Sequence, residues 1–160
     1  MMVAAPTRIT DQSLRQFAGY TMKRAFNAIR ADVTAALAPF ELRMVTFSAL
    51  SVIVENPGLR QSQLADALLI ERPNIVALVD ELVRHGLVEK AKSSTDRRAL
   101  SLVPTLLGVD SCARATAAVA AHDRRMTAAL SSTARTELIE MLKSIERAGE
   151  GLQNDGVTTA

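Results

Sequence analysis

Cysteine is almost missing from this chain. Cys112 stands alone, which excludes an intramolecular disulfide framework and any zinc site built on paired cysteines. Tryptophan is absent, and the few aromatics (Phe17, Tyr20, Phe26, Phe40 and Phe47) all fall within the first 47 residues. Only five Pro and seven Gly interrupt the 160 residues, so long helices are expected rather than a sandwich of short strands. No apolar run approaches the roughly 20 residues that span a bilayer. Met1–Thr10 holds Pro6 and Arg8 but no apolar core of a secretory signal. The expectation is a soluble, cytoplasmic chain with no membrane partner. An excess of one charge is also lacking: 19 Lys and Arg stand against 17 Asp and Glu, a net charge of +2. Global charge therefore does not separate a nucleic-acid binder from any other soluble protein, and local placement has to.

Hydrophobic residues make up 48% of the chain, and their spacing is helical over most of it. Residues 11–38 read as one long helix, with Leu14, Phe17, Met22, Ala25, Ile29, Val33 and Leu37 at helical intervals and Pro39 ending the run. A second helix covers about 41–55 and stops at Asn56-Pro57-Gly58. A short third helix follows at about 61–69. The fourth opens on Pro73, whose missing N–H costs nothing there, and ends on Gly86. Two short runs, 87–91 and 99–104, flank a polar tip and predict a β-hairpin. From Thr105, a good N-cap, an Ala-rich helix extends to about Leu130. Ser131 or Ser132 caps a last helix through about Ala148, with Leu138, Met141, Leu142 and Ile145 on one stripe.

The fold class is mainly α (α+β): a winged helix-turn-helix with long N- and C-terminal dimerisation helices. Residues 39–104 form the expected DNA-binding lobe, 10–38 and 105–150 a helical dimerisation lobe, and 1–9 and 151–160 flexible tails. Helices of about 25 residues, ~37 Å long, cannot bury their stripes on so small a lobe. A second copy of the chain is the simplest partner.

Three stretches resemble the MarR family of transcriptional regulators. Leu59 to Ala65 is similar to the first helix of its helix-turn-helix, and Arg72 to Val88 to its recognition helix running into the wing. Asp96-Arg97-Arg98-Ala99, followed by Leu100 to Thr105 and Gly108, is similar to its wing signature. All three occur in order along nearly the whole chain. The resemblance implies a dimeric DNA-binding regulator, most often a repressor, released by an aromatic or acidic effector.

Read directly, the residues agree. Ile75, Val79, Leu82 and Val83 make the buried stripe of the fourth helix, while Arg72, Asn74 and Ala77 lie near its start on the other side, next to Pro73. Arginine pairs bidentately with guanine and asparagine with adenine. The plain alternative makes Arg72 and Asn74 ordinary solvated residues. Asp80 and Glu81 would repel phosphates, so only the first turn should enter the groove. Arg60, Ser62 and Gln63 could donate to phosphates without reading sequence. Arg60 departs from the Thr or Ser usual in the family, which removes an N-cap of about 1 kcal/mol.

Between Lys90 and Arg98 the basic residues Lys90, Lys92, Arg97 and Arg98 meet one acid, Asp96. The resemblance implies that Arg98 enters the minor groove; Arg97 is instead placed to contact phosphate. Asp96 either orients Arg98 or only holds the turn.

For the effector, Phe17, Tyr20 and Arg24 share one helix face at i, i+3 and i+7, and Phe47 lies on the second helix. Such a pocket suits a small aromatic carboxylate or an aromatic acyl thioester. The alternative is core packing, with Arg24 as a solvated charge. Cys112 is expected to be buried and inert. His85 and His122 lack a second ligand at metal spacing, so capping or surface roles are favoured. Arg124 and Arg125 read as a solvated pair. No cofactor, metal site or catalytic residue is expected, because no nucleophile–base pair or phosphate loop is present. An effector-independent architectural DNA binder shares all these features.

Overall fold

A computed structural model describes residues 10–92 and 100–156, excepting the side chains of Lys92 and residues 150–156. A 3-10 turn (Leu14–Gln16) precedes α1 (Ala18–Leu37). After a second 3-10 turn (Ala38–Phe40) come α2 (Met44–Glu55), α3 (Gln61–Leu68), α4 (Arg72–Arg84), strands β1 (Val88–Lys92) and β2 (Leu100–Pro104), then α5 (Leu106–Met126) and α6 (Ser132–Gly156). The chain divides into two compact units, Met1–His122 and Asp123–Ala160.

In the first unit the core is built where α2, α3, α4 and the hairpin meet. Leu50 and Ile53 of α2, Leu64 of α3, Ile75, Val79 and Leu82 of α4, and Val88 and Leu102 of the strands are all fully buried. Removing these side chains from water is the main force that fixes the lobe. The stripe of α4 differs by one residue from the expectation: Leu78 is buried and Val83 is exposed, because 78, 82 and 75 lie on one line of the helix while 83 turns away.

β1 and β2 pair antiparallel with Val88 opposite Pro104 and Lys92 opposite Leu100. A third short segment joins them, which the sequence pattern did not indicate. Leu102 donates its N–H to the Leu59 carbonyl at 2.8 Å and accepts from Gly58 N–H at 2.7 Å. Gly58, at φ 93°, turns the chain out of α2 into that bridge.

Thr105 joins the wing to α5. Its hydroxyl accepts from Gly108 N–H at 2.9 Å, the expected N-cap, and donates to the Gly86 carbonyl at 2.7 Å. Gly108 is required by close approach: a Cβ there would sit 2.0 Å from the Leu87 carbonyl oxygen.

Several helix limits differ from expectation, including the start of α2 at Met44 rather than about 41 and the end of α5 at Met126 rather than about Leu130. The first helix is not continuous over 11–38: Phe17 is extended (φ -92°, ψ 126°) and breaks it, so Leu14 lies on a separate 3-10 turn. The last helix runs on to Gly156 rather than ending near Ala148.

His122 is also placed differently. It is 3% exposed, and its Nδ1 N–H donates to Asp32 of α1 at 2.5 Å. A buried imidazole needs a polar partner, and α1 supplies it across 90 residues of sequence. Cys112 is buried, with its Sγ 3.6 Å from the Ser51 hydroxyl.

In the second unit Ser131 caps α6, accepting from Ala134 N–H at 3.2 Å, and Arg135 pairs with Asp123. No apolar side chain described on α6 is buried.

Candidate nucleic-acid interface

The helix-turn-helix closes through Leu69, a non-glycine residue at φ 52° whose N–H reaches the Asp66 carbonyl. This left-handed cap ends α3 and lets Glu71 start α4 two residues later. Arg72, Pro73, Asn74 and Ala77 are all exposed: Pro73 and Ala77 lie opposite the buried stripe of α4, Asn74 lies on its flank, and Arg72, three and seven residues before Ile75 and Val79, is exposed by its place at the helix start. The sequence therefore anticipated the exposure of these residues, but of the three expected away from the stripe only Ala77 lies opposite it. Helix α4 starts one residue before Pro73, which keeps the proline within the first turn, where it removes no helical hydrogen bond.

One exposed residue was missed. Val76 is 44% exposed and lies one turn on from Arg72, between the directions of Arg72 and Pro73 around the helix. Counting the helical angle from Ile75 would have found it, since the next residue turns by about 100°. An apolar side chain there can meet a thymine methyl.

The two acids of α4 do not stand as bare charges. Lys90 of β1 donates to Asp80 at 2.6 Å, and Arg43, at the start of α2, pairs with Glu81. Both ion pairs are partly exposed, so each adds little stability. Their effect is on the local field: each acid carries its own cation. The same pairing withdraws Lys90 from the basic tip, so that residue belongs to the flank of α4.

At the start of α3, Arg60 makes no side-chain cap, as expected for arginine. The loss is offset by Gln63, whose Oε1 accepts the Arg60 backbone N–H at 2.9 Å. Gln63 thus has a structural duty at the start of α3. Ser62 is half-buried beside it. At the wing, β1 ends at Lys92. The Lys92 side chain and Asp96, Arg97 and Arg98 lie outside the described residues.

The four residues named for an effector are not brought together as a pocket. Phe17, in the helix break, is 65% exposed, and Phe47 packs against the core of the DNA-binding lobe. Tyr20 and Arg24 do converge, but on Asp11. The Tyr20 hydroxyl donates to Asp11 Oδ2 at 2.8 Å, Arg24 reaches the same oxygen at 3.1 Å, and Arg15 Nε donates to Oδ1 at 2.8 Å. These donors, led by Arg15 and then Tyr20, lower the Asp11 pKa from 3.8 to about 2. A separate open groove is lined by Val52, Asn56, Pro57, Leu59, Gln63 and Ala67. Among the described residues no group of His, Cys, Asp or Glu is placed to hold a metal ion.

Comparison with known proteins decides the family. A family model described as MarR family matches residues 42–99. The transcriptional repressor CouR bound to a 23-mer DNA duplex superposes with a TM-score of 0.83 at 35% identity, covering 88% of this chain and 99% of that one. The chain belongs to the MarR family. It is a DNA-binding transcriptional regulator with the winged helix-turn-helix predicted from its sequence. CouR bound to p-coumaroyl-CoA matches with a TM-score of 0.78 at 34% identity, over 88% of this chain and 99% of that one. A Thauera aromatica protein named as a putative transcriptional regulatory protein for the hcr operon is 42% identical over 101 residues, or 63% of this chain. That match spans 61% of the Thauera protein's length. The MarR relatives are regulators, not enzymes. No single described helix is long and apolar enough to cross a membrane.

Proposed function

We propose that this MarR-family chain is a repressor that binds a palindromic operator as a homodimer and is released by a small aromatic carboxylate or aromatic acyl thioester. The observation that carries the DNA reading is the outward face of α4. Arg72, Asn74, Val76 and Ala77 are exposed together at a helix N-terminus while the acids farther along are ion-paired. The helix presents its positive end to the duplex, Arg72 and Asn74 read base edges, and Val76 contacts a thymine methyl. Arg60, Ser62 and Gln63 position the α3 end on phosphates, Lys92 and Arg97 do so at the wing, and Arg98 enters the minor groove next to Asp96.

Dimerisation is supported by the uncovered apolar stripe of α6, and it spaces two copies of α4 about 10 bp apart. The effector class is supported by the CouR complex with p-coumaroyl-CoA. The effector acts by preferring a dimer whose lobe spacing no longer fits the operator, which requires different affinities for the two states.

The test is operator binding measured across salt concentrations, with footprinting. Wild type should protect one palindrome, and its affinity should fall steeply with salt. Arg98→Ala should weaken binding and flatten that slope. Equal affinity for the variant would remove Arg98 from the interface. Diffuse protection along DNA would favour an architectural binder instead.

A further inference from the structure

The break at Phe17 does more than shorten the first helix. In a continuous helix Asp11 and Arg24, thirteen residues apart, would be separated by about 20 Å along the axis. The extended backbone at Phe17 folds the 3-10 turn back on α1, and Asp11 lands on the Tyr20–Arg24 face. Thr21 fixes the fold-back by donating its hydroxyl to the Arg15 carbonyl at 3.1 Å. The result is a carboxylate held by three side-chain donors, two of them guanidiniums. Two positive groups face one negative group, so the cluster retains an excess of positive charge.

A phenol and two guanidiniums converging on two oxygens form a receptor for an oxyanion. The chain itself supplies the anion. We infer that Arg15, Tyr20 and Arg24 form an anion subsite that Asp11 fills in the unliganded protein, and that the carboxylate or phosphate of an incoming ligand binds there by displacing Asp11. A phosphate dianion would balance both arginines, which Asp11 cannot. Displacement frees the 3-10 turn from α1, so ligand binding is coupled to release of the N-terminal segment. The inference rests on the effector reading above for the identity of that ligand.

A self-occupied site lowers apparent affinity by the fraction of time it is open. Asp11→Asn removes the competing charge and should bind the anionic ligand about tenfold tighter, as expected if the clamp is open roughly a tenth of the time. The probes are p-coumaroyl-CoA, coenzyme A and p-coumarate, titrated calorimetrically into the full chain. A gain with coenzyme A assigns the subsite to phosphate, and a gain confined to p-coumarate assigns it to carboxylate. The gain should vanish in Asp11→Asn/Arg24→Gln. Amide exchange at residues 14, 15 and 17 should accelerate by up to about tenfold when the probe binds, the clamp going from a tenth open to fully open.

Equal affinity of wild type and Asp11→Asn, a gain that survives Arg24→Gln, or no binding of any probe to either protein would overturn the inference. If the gain appears while no probe releases operator DNA, the subsite stands and the effector reading falls.

Discussion

Helices α4 and α6 are both amphipathic, and they treat their apolar faces in opposite ways. On α4 the side chains of Ile75, Leu78, Val79 and Leu82 are buried within the chain itself. On α6 Leu138, Met141, Leu142 and Ile145 remain 39–58% exposed. One helix has found its partner inside the lobe, and its polar face is left exposed. The other carries a stripe of the same periodicity that a single copy leaves in water, which is the mark of an interface. Amphipathicity alone therefore assigns no role; the location of the covering surface does.

The comparison breaks most visibly on α6. Leu142→Asp together with Ile145→Asp should leave the helix-turn-helix folded and make the protein monomeric in sedimentation velocity. Operator affinity should drop by ~100-fold or more, because two half-sites would no longer be bound by one linked particle. A dimer that survives both substitutions would show that α6 faces something else. On α4 the corresponding change acts on folding. Leu82→Ala leaves a cavity in the packed core and should cost about 2–5 kcal/mol in urea denaturation. A loss well below that range would mean that the lobe repacks around the missing side chain.

The polar face of α4 gives the next, smaller effect. Arg72→Ala should cost about 1–3 kcal/mol in operator binding and relax the choice of base at one position in each half-site. Stability should stay within about 0.5 kcal/mol, since the side chain is exposed. Uniform weakening over every operator variant would reassign Arg72 to phosphate.

These contrasts explain how much could be read in advance. The order of helices and hairpin was legible because α3, α4 and the wing bury regular apolar patterns between strong stops such as Asn56-Pro57-Gly58 and Gly86. Ala77 was found on the outward side for the same reason, whereas Arg72 and Asn74 are exposed by their place at the helix start. The tertiary pairings were not legible. Lys90 with Asp80, Arg43 with Glu81 and His122 with Asp32 join residues 10, 38 and 90 positions apart. No local spacing encodes such contacts. The helix break was missed because Phe17 carries no breaker signature: its neighbours Gln16 and Ala18 are good helix formers, and Leu14 kept the apolar period running across it. Of the residues expected to line an effector pocket, Phe17 lies in that break. Tyr20 and Arg24 were paired correctly as a hydroxyl and a guanidinium, but their partner is a carboxylate from the preceding turn rather than an open pocket.

The smallest effect concerns that carboxylate. Asp11 has its pKa lowered from 3.8 to about 2, first by the hydrogen bond from Arg15 and then by that from Tyr20. A depressed folded-state pKa means that the ionised form is favoured by folding, so the clamp contributes above pH 3.8 and is lost as pH falls through about 2. The core of the DNA-binding lobe, which contains no buried carboxylate among the described residues, should be indifferent over that interval. Carboxyl NMR titration should therefore give a midpoint for Asp11 near 2, with Arg15→Gln raising it toward 3.8. Amide exchange at the 3-10 turn should accelerate at the same pH, while exchange at Leu82 and Val79 does not. An Asp11 midpoint that stays low without Arg15 would show that Tyr20 and Arg24 suffice to hold the carboxylate. If it sits near 3.8 in the wild type, the N-terminal turn does not close on α1 in solution.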